Sequence, residues 1–173
     1  MSIQKIKDHL RNIPDFPQEG ILFKDITPIL ENHELFTATI DIFYEALKGF
    51  NPDVIVGIES RGFIFAAPLA LRLNASFALA RKSGKLPYKK VSAGYALEYG
   101  KDSMEMHIDS IKENQKVIII DDLLATGGTA KAAIELVKKL NGDILAVAFM
   151  IELAELNGRE KIDPIEVVTL IQD

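Results

Sequence analysis

The sequence predicts an α/β fold, a mostly parallel central sheet flanked by helices. Three observations carry that expectation. Val54-Ile55-Val56-Gly57-Ile58 and Val117-Ile118-Ile119-Ile120-Asp121 are short, nearly continuous apolar runs of the kind that strands covered on both faces show. Segments of helical period lie between such runs, and strands and helices alternate along much of the chain, as in right-handed parallel units. In such sheets ligands bind at the carboxyl ends of the strands, where the connecting loops gather.

Taken in order, residues 3 to 11 place Ile3, Ile6, Lys7 and Leu10 at helical spacing behind Ser2, a candidate N-cap. IPDFPQEGILFKDITP, residues 13 to 28, mixes Pro, Gly and acids with Ile21, Leu22 and Phe23, which reads as an ordered, extended loop with one short strand. Residues 33 to 48 set Leu35, Phe36, Ile40, Phe43, Tyr44 and Leu47 on one helical stripe, with Gly49 as the stop. After Val54–Ile58 comes an apolar helix over 63–73 and a strand over 76–80. Arg81 to Gly94 is polar, lysine-rich and long for a connection, the signature of a functional or mobile loop. Two strands are expected around a Gly100-Lys101 turn, over 95–99 and 103–108. The central strand at 117–121 leads to a helix over 129–140, closed by Asn141-Gly142, and two further strands fall at 144–151 and 167–171.

The 173 residues suit one domain, 48% hydrophobic and 26% charged, close to ordinary globular usage. Cysteine is absent, so disulfides and thiolate-ligated metal sites are excluded, and His9, His33 and His107 form no metal-binding pattern. The amino terminus carries charges where a signal peptide needs an apolar core, and no apolar run approaches the ~20 residues of a membrane helix, so a soluble, cytoplasmic protein is expected. A net charge of −5 disfavours broad nucleic-acid binding, which rests on a basic surface.

One segment carries chemistry. VIIIDDLLATGGT, residues 117 to 129, runs from a buried strand through two acids and a glycine turn into a helix. Gly127 and Gly128 allow backbone conformations barred to other residues and a close approach by a ligand. The free N–H groups at the helix start, with the hydroxyls of Thr126 and Thr129, make a cup for a phosphate monoester. Asp121 and Asp122 would repel that phosphate, so they must serve another part of the same ligand. A ribose cis-diol needs acceptor groups, and a developing cationic sugar carbon needs negative charge. At ~4 Å and an effective dielectric near 20 such a charge pair is worth about 4 kcal/mol, roughly three powers of ten in rate if realised only in the transition state. The bland alternative, strand exit plus helix cap, explains either half but not both at this spacing. Neither G-x-x-x-x-G-K-[ST] nor G-x-G-x-x-G occurs.

With these residues the chain resembles the type I phosphoribosyltransferases, and within them the adenine-using branch. IPDFPQEGILFKDITP at 13 to 28, ESRGF at 59 to 63, RKSGKLP at 81 to 87, YALEYGK at 95 to 101, VIIIDDLLATGGT at 117 to 129 and ELNGREKI at 155 to 162 follow that branch's segments in order. The resemblance implies one phosphoribosyltransferase domain over 1–173, with a small amino-terminal hood, mainly 1–33, over the base site and a mobile loop at about 81–94. It implies purine salvage: adenine and phosphoribosyl pyrophosphate (PRPP) giving AMP and diphosphate, with Mg2+ carried by PRPP and water and no firm protein ligand. Ala125, Thr126, Gly127, Gly128 and Thr129 would hold the 5-phosphate, and Asp121 and Asp122 the ribose hydroxyls. Ser60, Arg61, Arg81, Lys82 and Lys85 would meet the pyrophosphate, whose growing charge suits guanidinium and ammonium groups. Lys89 and Lys90 read better as a solvated face. Leu22, Phe23, Lys24 and Leu153 would surround adenine, Phe23 by stacking or as support and Leu22 and Lys24 through the main chain, although a core role for Phe23 stays open. Many relatives have Arg where Lys24 stands. Glu98 resembles the family's candidate general acid or base, and Tyr99 a positioning group. The family is generally dimeric, and the polar loop suggests a homodimer in which Arg81 completes the neighbour's site. Transfer to another base would need a different hood. A PRPP-sensing regulator would need an added DNA-binding domain or a basic face, for which the chain has neither length nor charge.

Overall fold

A computed structural model describes residues 1–97 and 100–173. It divides into two compact units, Met1–Phe43 and Tyr44–Asp173.

The first unit opens with α1 (Ile3–Lys7), where Ser2 Oγ accepts from the Lys5 amide at 3.3 Å as the N-cap. The helix is shorter than its periodicity suggests, and the chain turns at His9 into β1 (Arg11–Pro14). β1 pairs antiparallel with β2 (Leu22–Asp25), from Arg11↔Asp25 to Pro14↔Leu22, so the stretch expected to hold one strand in a loop is half of a hairpin. Asp25 then accepts from the Thr27 amide at 2.9 Å and from its hydroxyl at 2.8 Å, leading into α2 (Thr27–Leu30). α3 (His33–Leu47) begins in this unit, and Asn32 Oδ1 accepts from the amides of Glu34 and Leu35. Ile6, Ile26, Ile29, Leu35, Ile40 and Phe43 are buried.

The second unit is built on a seven-stranded sheet. Its strands are β3 (Val54–Ile58), β4 (Ser76–Lys82), β5 (Lys90–Leu97), β6 (Gly100–His107), β7 (Lys116–Leu124), β8 (Asp143–Glu152) and β9 (Val167–Gln172), in the order β5-β6-β4-β3-β7-β8-β9. β4, β3, β7, β8 and β9 run parallel, while β6 is antiparallel to both β4 and β5. α4 (Gly62–Arg72) connects β3 to β4, and α5 (Gly128–Lys139) connects β7 to β8. Every residue of β3 is buried, as its unbroken apolar run requires. α5 buries Ala130, Ala133, Ile134 and Val137 at helical spacing, and Leu140 and Asn141 end it, Asn141 in the left-handed region.

The polar stretch expected to be loop from Arg81 to Gly94 is strand at both ends. β4 continues to Lys82 and β5 starts at Lys90, leaving 83–89 as the connection. The reason lies in a period of two hidden among lysines: Ala93 is buried and Val91 half-buried, between exposed Lys90, Ser92 and Gly94. Lys139 of α5 donates to the Ser92 carbonyl, tying this strand to the helix.

Candidate active site

β3 has β4 on one side and β7 on the other, and their connections leave in opposite directions, so the strand order reverses between β3 and β7. Ligands of open α/β sheets bind outside the carboxyl ends at such a reversal. Glu59, Ser60 and Arg61 follow β3, Arg81 and Lys82 end β4, Asp121 and Asp122 lie near the end of β7, and Leu153 follows β8. The topology therefore gathers most of the sequence's candidates at one end of one sheet.

The acids sit inside β7, which runs on to Leu124 through the pairs Asp121↔Phe149 and Leu124↔Glu152 with β8. Both are buried, Asp121 to 7% exposure and Asp122 to 5%. The Asp122 amide donates to Asp121 Oδ1 at 2.9 Å, and Arg61 Nε stands 2.8 Å from Asp122 Oδ2. Burial pushes the Asp121 carboxyl well above the ordinary carboxylate range, and the Asp122 charge adds to the push. Burial raises Asp122 as well, with the Arg61 guanidinium pulling it back. Gly62 makes this packing possible, because a Cβ there would lie 2.6 Å from the Ile120 carbonyl oxygen and 3.0 Å from Asp121 Oδ1.

The loop from Ala125 to Thr129 turns through Gly127, whose φ of +78° only glycine adopts without strain. α5 starts at Gly128, with no side chain capping its first amides, so donors and helix dipole face the loop. Thr126 is exposed and Thr129 half-buried. Behind the loop stands a 3-10 segment, Gly158–Lys161. A Cβ on Gly127 would meet the Gly158 carbonyl oxygen at 2.5 Å, and one on Gly158 would collide with the Ala125 carbonyl oxygen. Sequence reasoning quoted ELNGREKI without giving it this role; the Asn-Gly pair inside it was the available signal.

The basic residues are arranged by acids. Arg81 donates through Nε and Nη2 to Glu59, the Lys82 amide donates to Glu59 Oε2 at 3.0 Å, and Lys85 Nζ lies 3.6 Å from Oε1. Burial opposes the Glu59 charge, but the Arg81 and Lys82 donors and the Lys85 charge outweigh it and hold the carboxyl below its ordinary value. Arg81 Nη1 also donates to the Lys85 carbonyl at 3.2 Å, and Lys82 Nζ lies 3.9 Å from Asp102. Another acid, the buried Glu105 of β6, accepts from Ser83 Oγ at 3.0 Å and the Gly84 amide at 3.1 Å, with Lys90 Nζ at 2.8 Å. Lys90, expected only as part of a solvated face, is exposed but also pairs with this acid. Neither Glu59 nor Glu105 was singled out from sequence, since a lone Glu in a polar stretch carries no pattern. Ser60, Lys82 and Lys85 are exposed.

In the first unit, Leu22, Phe23 and Lys24 are consecutive on β2, with Phe23 half-buried and edge-on to Phe16 at 5.1 Å between ring centres. Leu153 is half-buried, and its amide donates to the Leu124 carbonyl at 2.9 Å. Glu98 and Tyr99 lie outside the described residues. Among the described residues no group of three or more His, Asp or Glu could hold a metal ion, and no helix is long and apolar enough to cross a membrane.

Known proteins resemble this chain over nearly its whole length. The phosphoribosyl transferase domain family matches residues 25–173. The adenine phosphoribosyltransferase of Halothermothrix orenii is 52% identical over 169 residues, 98% of this chain and 99% of that protein. The crystal structure of adenine phosphoribosyltransferase from Thermoanaerobacter pseudethanolicus superposes with a TM-score of 0.97 at 47% identity, covering 99% of this chain and 100% of that one. The Saccharomyces cerevisiae adenine phosphoribosyltransferase, solved with an imino-altritol bisphosphate and adenine, gives a TM-score of 0.94 at 45% identity over 97% of each chain.

Proposed function

The chain belongs to the phosphoribosyltransferase family, in its adenine-using branch, and from that premise we propose how its residues divide the work of joining adenine to PRPP, with AMP and diphosphate as products. The observation that carries the proposal is the buried Asp121–Asp122 pair, tied to Arg61 and set between a central strand and an uncapped helix start.

The 5-phosphate binds the amides of Ala125 to Thr129 and the two threonine hydroxyls, where the helix dipole favours an anion. Asp121 and Asp122 accept from the ribose hydroxyls. At C1 the bond to the diphosphate oxygen breaks, taking its electron pair, and adenine N9 forms the new bond. Between the two, positive charge develops on the sugar, and the paired carboxylates oppose it in a site already arranged for it. Ser60, Arg61, Arg81, Lys82 and Lys85 receive the departing diphosphate. The adenine roles of Leu22, Phe23, Lys24 and Leu153 are assigned from sequence alone, as is that of Glu98, which trades a proton at purine N7 or N9 while Tyr99 helps position the substrate.

Magnesium would come with PRPP, held chiefly by its diphosphate oxygens and water. Asp122 already pairs with Arg61, and among the described residues nothing forms a cage. That fits an ion that arrives on the diphosphate oxygens with its own water, as a hard, reluctantly dehydrated cation does. Bound there, it would neutralise the leaving group. The reading also includes a cytoplasmic homodimer, in which Arg81 of one copy completes the other's site.

The test is a transfer assay with labelled adenine, hypoxanthine and guanine in PRPP and magnesium. Adenine presents a donor at C6 where hypoxanthine presents an acceptor, and a mismatch leaves buried polar groups unpaired at ~1 to 3 kcal/mol each. Adenine should be preferred by orders of magnitude; comparable use of hypoxanthine removes the base assignment.

A further inference from the structure

Glu152, the last residue of β8, is 4% exposed, and its carboxylate is gripped by one edge of a guanidinium: Arg159 Nε donates to Oε1 at 2.6 Å and Nη2 to Oε2 at 2.7 Å. Arg159 also donates to Thr169 Oγ1 at 3.1 Å and reaches the Val167 carbonyl at 3.4 Å, both on β9, while Thr169 Oγ1 donates to Glu152 at 3.2 Å. A fork this planar fixes orientation as well as distance. What it orients is the 3-10 segment that begins with Gly158, immediately before Arg159.

Gly158 is buried although its neighbours are exposed; its carbonyl backs Gly127 so closely that Gly127 tolerates no Cβ, and a Cβ on Gly158 itself would collide with the Ala125 carbonyl oxygen. Leu124, one residue before the loop, pairs with Glu152 in the ladder. The loop is therefore held from two sides by the same residue: by the Glu152 backbone in the ladder at its start, and by the Glu152 carboxylate through Arg159 and Gly158 behind its left-handed turn. Apolar residues of similar volume commonly stabilise such a site as well as a buried ion pair does. Fixed geometry is what the pair adds.

We infer that Glu152 and Arg159 are positioning residues for the 5-phosphate site, clamping the Gly158 turn against Gly127 so that the amides at the start of α5 keep the orientation that an incoming phosphate monoester needs. The inference rests on the reading of Ala125 to Thr129 as the phosphate loop. Neither residue touches substrate; both act through the Gly158 backbone. Misplacement of binding groups by about 1 Å can cost two powers of ten, so a released turn should be felt at the phosphate end of the substrate.

The test titrates ribose 5-phosphate calorimetrically into the full chain and measures KM for PRPP and for adenine separately, with thermal melts on every variant. Arg159→Gln and Gly158→Ala should weaken ribose 5-phosphate about tenfold or more and raise KM for PRPP alike, with the adenine KM within about twofold. Arg159→Lys keeps the charge but lacks the fork, should fall between, and serves in the same titration if Arg159→Gln does not fold. A merely structural role lowers the melt and the active fraction and leaves ribose 5-phosphate affinity alone, which overturns the inference. Equal weakening of adenine and ribose 5-phosphate overturns it too. The double variant Thr126→Val, Thr129→Val separates the premise: if it weakens ribose 5-phosphate and Arg159→Gln does not, only the clamp is wrong; if neither does, the phosphate-loop reading falls with it.

Discussion

Arg81 forks onto Glu59 of its own chain, Nε to Oε2 at 3.2 Å and Nη2 to Oε1 at 3.1 Å, joining the ends of β3 and β4. The pair fixes where the guanidinium stands, and complementation decides which copy it serves. Asp122→Asn and Arg81→Ala homodimers should each be inactive. In a co-refolded equal mixture half the dimers are hetero, and a shared site gathers both lesions into one pocket while sparing the other, so about a quarter of all sites regain activity. No recovery assigns Arg81 to its own subunit's site.

The paired acids should show function and stability pulling apart. Changing Asp121 and Asp122 together to Asn is expected to preserve the fold and cut turnover at least a hundredfold, about 3 kcal/mol of transition-state stabilisation. Near-normal turnover removes their role at the sugar. Asp121→Asn alone should raise the melting temperature near neutral pH. Burial lifts the Asp121 carboxyl above its ordinary 3.8, so the folded state holds the proton more tightly than the unfolded chain. Wild-type stability relative to Asp121→Asn is therefore greatest below the unfolded value and declines as pH rises from there through the raised one. About 1 kcal/mol corresponds to roughly 2–4 °C at this chain length, and melts across that pH range read it directly.

Gly62→Ala puts a methyl group 2.6 Å from the Ile120 carbonyl oxygen and 3.0 Å from Asp121 Oδ1. β7 must shift to admit it. The expected result is a loss of about 1–3 kcal/mol in denaturant unfolding, with turnover reduced ten- to a hundredfold in the fraction that stays folded. Wild-type turnover in a folded variant refutes the close placement of Gly62 on the acid pair.

Glu105 should support the fold in the opposite pH sense. Lys90 chiefly holds its carboxyl below the ordinary 4.5, against burial and with help from the Gly84 amide and Ser83 hydroxyl. Its contribution is present above the unfolded value and disappears as pH falls through the lowered one. Glu105→Gln is expected to cost about 1–3 kcal/mol at pH 7 and progressively less in acid, as chemical denaturation at several pH values will show. A cost that grows in acid contradicts the ion-pair arrangement.

The sheet was legible because its parallel strands are buried on both faces, which leaves unbroken aliphatic runs such as Val54–Ile58 and Val117–Ile120. The phosphate loop was legible because a left-handed turn before a helix demands glycine, as at Gly127. The first half of β5, Lys90 to Gly94, was not, because Lys90 and Ser92 mask the alternation of Val91 and Ala93. Nor were the Glu59–Arg81 and Glu152–Arg159 pairs, since nothing in a linear sequence says which of its acids will be buried or which arginine will meet them. Residues linked by a spacing rule appear in sequence; residues linked only by the path of the chain do not.

The β3–β7 pairing also shapes how the molecule is made. Val54 meets Val117 and Gly57 meets Ile120, so two central neighbours are joined by a chain that first builds α4, β4 and the β5–β6 hairpin. On the ribosome β3, α4 and β4 can associate early, whereas β7 emerges only after that long intervening stretch. Closing so large a loop costs entropy before any contact rewards it, and parallel pairing over such separations is slow. The strand that brings the two aspartates to the sheet therefore docks after β4, and its acids finish losing their water only when α5 and β8 follow it out. A nascent chain stalled before Val117 would hold β3 against β4 with the β7 side of β3 still open.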